Sequence, residues 1–359
     1  MTPIRVLIVD DSSVFRTTLS KVMESSAHVV GADTAPDGKI ALQKIQSKKP
    51  DIVILDVEMP GMDGIETLRE IKKRWPDQKV IMFSAHTQKG AASTIDALSL
   101  GALDFLAKPS GGTLAENKRI IEEQLLPKIE GIFNGGPVRP ARPAPSAVRP
   151  APRVPLRATA GRRFERANPP IVAIGVSTGG PNALAELIPS LPASFPSPIA
   201  IVQHMPPLFT NQLANRLNTK SALSVHEATE GMDLRPGNVY IAPGDYHMEI
   251  RKAPGSKTRT IHLQQEPPEC SCRPSVDVMF RSIAESYGAN TIAVILTGMG
   301  QDGFQSTRLL KSCDCHVIAQ DQASCVVYGM PSFIVQNGLA DDVLPLNRIG
   351  RRLIELVQG

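Results

Sequence analysis

Ser177 closes the run IVAIGVS and is followed by Thr178, Gly179, Gly180 and the amphipathic stretch NALAELIPSL. A short β-branched run broken by two glycines predicts a buried parallel strand, a tight turn and a helix. The serine then stands at a strand's carboxyl end beside a helix N-terminus, where open α/β sheets place their chemistry and backbone N–H groups face incoming negative charge. His204 follows PIAIVQ and Asp302 lies in LTGMGQDG, just past TIAVILT, so both also fall at predicted strand ends. A serine hydroxyl is a weak nucleophile until an imidazole takes its proton, and a carboxylate then fixes the tautomer and stabilises the imidazolium. Asp302, at the start of a predicted helix, is held ionised by the helix dipole. The three together predict acyl transfer through a serine.

A second constellation lies earlier in the chain. Asp10 and Asp11 end IRVLIVD, Asp56 ends DIVILD, Ser84 ends VIMFS, and Lys108 ends DFLAK before Pro109. In a parallel sheet these ends converge on one rim. Three carboxylates so close repel one another unless a divalent cation sits among them, and oxygen-only ligands suit Mg²⁺. Lys108 and the Ser84 hydroxyl supply a cation and a donor for an arriving anion. The chemistry this set predicts is phosphoryl transfer onto an aspartate.

The elements that must position these groups alternate in type. Strands IRVLIVD, HVVGAD, DIVILD, VIMFS and DFLAK are separated or followed by helices SVFRTTLSKVME, DGKIALQKIQSKK, DGIETLREIKKRW, AASTIDALSLG and NKRIIEEQLLPKI. That is a flavodoxin-like, five-stranded, doubly wound parallel sheet. After residue 168 the pattern resumes on a larger, mainly parallel scale. The strands are PPIVAIGVS, PIAIVQH, NVYIAPG, TIAVILTG and CHVIAQD, and the helices TNQLANRLN, VDVMFRSIAESYG and FQSTRLLKSC; HMEIRK and TRTIHLQQ form a hairpin, and a helix closes the chain.

Between the two lies a segment that builds no core. Residues 131–168 hold eight arginines, seven prolines and one acid, Glu165, in runs such as GGPVRPARPAPSAVRPAPRVP. Polyproline-rich sequence of this kind is a semi-rigid solvated linker, with a docking strip for an anionic partner as the other reading. The linker outweighs the whole chain's net charge of +4, so the remainder is net negative. Phe164 is the only aromatic interleaved with the segment's arginines, too few for base stacking, which argues against nucleic acid. No apolar stretch approaches the ~20 residues that span a bilayer, and MTPIRVLIVD lacks a signal peptide's pattern, so direct membrane insertion is not expected and the location is expected to be cytoplasmic. Five cysteines include the pairs Cys270/Cys272 and Cys313/Cys315, whose C-x-C spacing is shorter than that of structural zinc sites and reads as reduced thiols.

Two rival motifs overlap the serine site. GVSTG, residues 175–179, matches the G-x-S-x-G elbow, whose chain order would pair Ser177 with Asp302 and His316, but His316 begins its strand and so belongs at the opposite edge of the sheet. Gly298, Gly300 and Gly303 match G-x-G-x-x-G, with Asp321 ending the next strand, but Asp302 inside that loop would repel a pyrophosphate. Asp277 and Asp321 are the next candidates should Asp302 not be the acid.

Residues 4 to 122 resemble response-regulator receiver domains, most specifically in LDVEMPGMDG around Asp56. The resemblance implies that Asp56 is the phosphoacceptor and that Asp10, Asp11 and the Glu58 main chain join it around Mg²⁺. It implies that Ser84, Phe105 and Lys108 are the switch residues. Residues 169–356 resemble the catalytic domain of chemotaxis protein-glutamate methylesterases through IGVSTGGP, VQHMPPLFT, PGNVYIAPGDYHM, CRPSVDVMF, LTGMGQDG and ASCVVYGMP. That implies Ser177 as nucleophile, His204 as base and Asp302 as orienting acid, with Thr178 and Met299 N–H groups as the expected oxyanion hole. Residues 123–168 are then a helix end and the linker. The implied reaction is hydrolysis of glutamate γ-methyl esters on chemoreceptor cytoplasmic helices, releasing methanol, with deamidation of receptor glutamines. The implied phosphodonor is the chemotaxis histidine kinase, and no cofactor is expected for the esterase step. Phosphorylation is expected to uncover the esterase rim, and the protein to be a monomer. The readings left open are a receiver-controlled esterase outside chemotaxis and a non-enzymatic, receiver-linked binding module.

Overall fold

A computed structural model describes residues 3–134, 164, 169–252 and 258–358. The chain divides into two compact units, one centred on residues before 135 and the other on residues after 168.

The first unit is a parallel sheet in the order β2-β1-β3-β4-β5. Its strands are β1 (Ile4–Val9), β2 (Val29–Ala35), β3 (Ile52–Asp56), β4 (Lys79–Ser84) and β5 (Asp104–Ala107). The helices are α1 (Ser13–Glu24), α2 (Gly38–Lys48), α3 (Gly64–Arg74), α4 (Gln88–Ser99) and α5 (Leu114–Asn134). Ser12, Asp37, Asp63 and Thr87 start four of them by accepting a backbone N–H with the side chain. The Thr87 cap begins α4 three residues before the first residue of AASTIDALSLG. Helix α5 also outruns the predicted NKRIIEEQLLPKI. Pro127 removes one backbone bond but does not end it, because Leu125 and Ile129 are buried in the core with α1. Strand order reverses beside β1, so the ends of β1 and β3, with Asp10 and Asp56, border the crevice of the sheet.

The second unit carries a seven-stranded parallel sheet in the order β14-β13-β12-β6-β7-β9-β8. The strands are β6 (Ile171–Val176), β7 (Ile199–Gln203), β8 (Ser224–Glu227) and β9 (Asn238–Ile241), then β12 (Thr291–Ile295), β13 (His316–Gln320) and β14 (Asp342–Leu344). Strands β10 (His247–Lys252) and β11 (Arg259–Gln264) form the expected antiparallel hairpin. The helices after residue 168 are α6 (Gly180–Leu187), α7 (Phe209–Lys220), α8 (Val276–Tyr287), α9 (Phe304–Ser312), α10 (Met330–Gln336) and α11 (Leu346–Gln358). Strand β6 pairs with β7 on one side and β12 on the other, so the chain segments after all three emerge side by side. A Cβ on Gly175 would lie 2.5 Å from the Val276 side chain, so glycine there lets α8 approach β6 closely.

Edge strands β8 and β14, and α10, are absent from the sequence-based expectation. Both strands are short and only partly buried, so neither carries the apolar run that marks an interior strand. Of the expected linker, residues 123–134 are the end of α5, and the Arg/Pro-rich residues 135–163 lie outside the described residues. Among the described residues no helix is long and apolar enough to cross a membrane.

Candidate active site

Ser177 follows β6 and His204 follows β7 directly, and the two segments are tied together. The His204 N–H donates to Val176 O (3.2 Å) and the Ser177 N–H to Thr297 O (3.0 Å). The Gln203 side-chain amide, itself buried, donates to Ser177 O (3.0 Å) and more weakly to His204 O (3.4 Å). Thr297 bridges the other side: its hydroxyl donates to Thr178 O (2.9 Å) and accepts from Val327 N–H (3.0 Å). Gly179 sits at φ 77° before α6, and a Cβ there would press on Val326, so the turn after the serine needs glycine. With the Ser177 N–H engaged by Thr297, it cannot face a developing oxyanion. Among the described residues the Thr178 and Met299 N–H groups have no hydrogen-bond partner.

The His204 imidazole meets Asp302: Nε2 and Oδ2 are 2.8 Å apart. Asp302 is buried and its charge is surrounded by donors. Oδ1 accepts from the Ser275 hydroxyl (2.8 Å), Asp277 N–H (2.9 Å) and Gly303 N–H (2.9 Å), while Oδ2 also accepts from Val276 N–H (2.7 Å). Burial alone would raise the Asp302 pKa, but the His204 bond and charge and the backbone N–H groups of Asp277 and Val276 outweigh it and hold the carboxyl below its ordinary range. Burial disfavours an imidazolium at His204. The Cys272 side chain and Asp302 outweigh that, raising its pKa to about 10. Among the described residues the Ser177 hydroxyl makes no hydrogen bond; such contacts commonly tighten only once substrate is bound.

The rival arrangements do not assemble. His316 begins β13, is buried, and binds Asp342 Oδ2 (2.7 Å), far along the sheet from the strand's carboxyl end. Asp321 accepts from the backbone and hydroxyl of Ser324, inside its own turn. In the G-x-G-x-x-G loop, Gly303 N–H bonds the Asp302 carboxylate, a donor that a phosphate would otherwise use. Asp277 caps the start of α9 through Ser306 N–H (2.7 Å) and the Ser306 hydroxyl (2.6 Å); burial is the main cause that raises its pKa.

The other rim carries the oxygen cluster. Ligand atoms of Asp10, Asp11 and Asp56 all lie within 4.8 Å of one another. Asp10 Oδ1 accepts Ser12 N–H (2.8 Å) and Asp56 Oδ1 accepts Glu58 N–H (3.2 Å). Lys108 Nζ lies 2.9 Å from Asp10 Oδ2 and 2.8 Å from Asp56 Oδ2. These separations make ion pairs, yet neither buried oxygen receives a well-directed hydrogen bond. Burial pushes Asp56 up to about 6 despite Lys108, with Asp10 adding to the rise, and burial raises Asp10 as well. Two under-served buried carboxylate oxygens beside an exposed third acid fit a hard divalent cation such as Mg²⁺. Ser84 is buried with its hydroxyl on Gly90 O (3.1 Å), and Phe105 lies buried in β5.

Comparison with known proteins gives a family for each of the two stretches of chain. The family model described as CheB methylesterase matches residues 172–353 and that for the response regulator receiver domain matches residues 6–117. The chain belongs to the CheB methylesterase family. A relative from Trichodesmium erythraeum, named protein-glutamate methylesterase/protein-glutamine glutaminase, is 43% identical over 99% of this chain and 100% of its own. One of the same name from Thermotoga maritima is 43% identical over 99% of this chain and 98% of its own. The crystal structure of the Thermotoga maritima CheB methylesterase catalytic domain is 48% identical, with a TM-score of 0.51, and covers 53% of this chain and 99% of that one.

Sequence reading alone missed the residues that support the CheB-type site. Ser275 has the position of a helix cap, but its side chain makes no cap bond and serves Asp302 instead. Gln203 stood beside His204 in the sequence as an ordinary strand end. Only the pairing of β6 with β7 reveals it as the link between two carbonyls.

Proposed function

We propose that the protein is a phosphorylation-activated protein-glutamate methylesterase and protein-glutamine glutaminase acting on the cytoplasmic helices of methyl-accepting chemoreceptors. The observation that carries this is the His204–Asp302 pair, with Asp302 held by four further donors, beside Ser177 at the next strand end. Ser177 Oγ attacks the γ-carbonyl carbon while His204 takes its proton, and Asp302 stabilises the resulting imidazolium. The Thr178 and Met299 N–H groups receive the oxyanion. His204 gives the proton to the leaving group as the C–O or C–N bond breaks: to the methoxide oxygen, giving methanol, or in deamidation to the amide nitrogen, giving ammonia. Water, deprotonated by His204, then cleaves the acyl-serine to free glutamate.

In the receiver, Asp56 accepts a phosphoryl group from the pathway's histidine kinase, and Lys108 pairs with the anion. Asp10, Asp11, Asp56 and the Glu58 carbonyl would hold Mg²⁺, which when bound neutralises phosphoryl charge. Ser84 and Phe105 respond to the new phosphate. The enzyme works as a cytoplasmic monomer and uses no nucleic acid.

Methanol release from methylated receptor membranes tests this, with and without a small-molecule phosphodonor and Mg²⁺. Stimulated release in wild type, no stimulation in Asp56→Asn and no release in Ser177→Ala are expected. Release that survives Ser177→Ala would overturn the assignment.

A further inference from the structure

His247 opens β10, is fully buried and has no part in the reaction above. Its partners fix which ring nitrogen carries the proton. Nδ1 accepts the Ser275 N–H (3.2 Å), so it presents a lone pair and no hydrogen. Nε2 lies 3.2 Å from Pro267 O, a carbonyl that can only accept, so the hydrogen sits on Nε2. The ring is the neutral Nε2–H tautomer, with its lone pair spent on Ser275.

Ser275 is where that lone pair matters. Its hydroxyl and the next two backbone N–H groups, of Val276 and Asp277, supply three of the five donors on Asp302. Asp302 Oδ2, the oxygen that meets His204, is also the one that takes the Val276 N–H. Ser275 precedes α8 but makes no side-chain cap bond to it, so groups outside the helix hold the segment. Arg273 grips Asp245 Oδ1 through Nε (3.0 Å) and Nη2 (2.6 Å), and its carbonyl accepts the Asp245 N–H (3.1 Å). Arg273 Nη1 bonds Gln265 O (3.0 Å) and Glu266 O (3.1 Å). These Arg273 bonds lie nearer the surface, where water can stand in for them. The bond from Ser275 to His247 is buried, and its donor has no other partner to turn to.

We propose that His247 is a positioning residue for the triad: it anchors Ser275, and through Ser275 it sets the three donors that aim Asp302 at His204. A side chain with no acceptor at the δ1 position leaves the Ser275 N–H buried and unpaired. The backbone escapes that cost only by shifting, and residues 275–277 carry their donors with them. The catalytic consequence rests on the assignment of Ser177, His204 and Asp302 as the triad; the anchoring does not.

Amide side chains separate the work of the two ring nitrogens. Asparagine places Oδ1 about where Nδ1 stands, so it accepts from Ser275 but falls short of Pro267 O. Glutamine places its NH₂ about where Nε2 stands, so it reaches Pro267 O but offers Ser275 no acceptor.

The test uses the full chain with Mg²⁺ and a small-molecule phosphodonor. Methanol release from methylated receptor membranes is measured for wild type, His247→Asn, His247→Gln and His247→Leu. Nitrogen-labelled histidines give, by NMR and without substrate, the His247 tautomer and the His204 ring signals that report its contact with Asp302. Gln and Leu should lower kcat about 10- to 100-fold with little change in KM, while Asn stays within about 3-fold of wild type. The His204 signals should move in Gln and Leu and stay in Asn. Equal losses in Asn and Gln, both folded by near-ultraviolet circular dichroism, overturn the role of the δ1 acceptor. A rise in KM alone overturns positioning in favour of substrate contact. A proton on Nδ1 in wild type overturns the anchoring even if no variant folds. A wild type that releases no methanol sinks the esterase reading, and the His204 and His247 signals then decide the anchoring by themselves.

Discussion

Asp56 and Asp302 are both almost fully buried near the carboxyl ends of parallel strands, yet their surroundings are opposite. Asp302 has three backbone N–H groups, a hydroxyl and an imidazole, and its pKa falls. Asp56 has one backbone N–H and a lysine it shares with Asp10, and its pKa rises to about 6. Burial penalises both charges alike; what differs is the number of fixed dipoles aimed at them. In the proposed mechanism the esterase carboxylate stays charged through a cycle in which its neighbour gains and loses a proton, which suits permanent compensation. In the same proposal the receiver carboxylate bonds to an incoming electrophile beside a cation, which suits compensation left incomplete until they arrive.

Breaking the compensated side should have the larger effect. Asp302→Asn keeps the shape but turns an NH₂ toward donors that need an acceptor. We expect methyl-ester turnover to fall about 10,000-fold, as in triads where the acid becomes an amide. The pH profile gives the sign. The base must be neutral to act, and the carboxylate stabilises its charged form, so activity in wild type rises with pH as His204 deprotonates. Removing the carboxylate lowers the His204 pKa, and the residual activity should rise at lower pH than in wild type. A profile that does not move would place the supporting charge elsewhere.

How much of this contrast was legible beforehand follows from where the information lies. Strand ends were readable because β-branched runs stop abruptly at Asp56 in one sheet and at Ser177 and His204 in the other, and parallel topology then gathers the ends of each sheet on that sheet's own rim. The identities of Asp10, Asp11, Asp56 and Lys108 announced an anion site on their own. The compensation of Asp302 was not readable, because three of its five donors come from the segment 275–277, brought in by packing of α8 against β6, and a fourth is the backbone N–H of its neighbour Gly303. Backbone N–H groups carry no sequence identity.

The under-compensated side predicts a stability effect of intermediate size. With a folded pKa of about 6 against 3.8 in the open chain, Asp56 binds its proton more tightly when folded. The contribution of Asp56 to stability is therefore greatest at low pH and declines as pH rises from about 4 through about 6, by about 3 kcal/mol in all. Asp56→Asn should lack this decline, so above pH ~6 it should melt higher than wild type in chelator. Mg²⁺ should narrow the gap by stabilising wild type more than the variant. Equal melting temperatures across the range would mean that Lys108 already compensates the charge in full.

The smallest effect concerns Gln203, which belongs to the well-supplied unit yet has a buried Oε1 without a partner. Its Nε2 is the useful half, bridging Ser177 O and His204 O. Gln203→Leu removes both bonds, but Ser177 O keeps the Gly180 N–H at 2.8 Å, so the loss should be only about 1 kcal/mol of stability. Gln203→Glu is nearly isosteric yet turns an acceptor toward two acceptors. It should cost about 2–3 kcal/mol, the penalty of opposed buried polar groups. If the amide serves to hold nucleophile and base in register, both variants should lower kcat with little change in KM, with Glu the worse. Were Leu the worse of the two, side-chain volume beside Gly180, where a Cβ would already overlap the Gln203 amide, would be what matters, and the bridge would not.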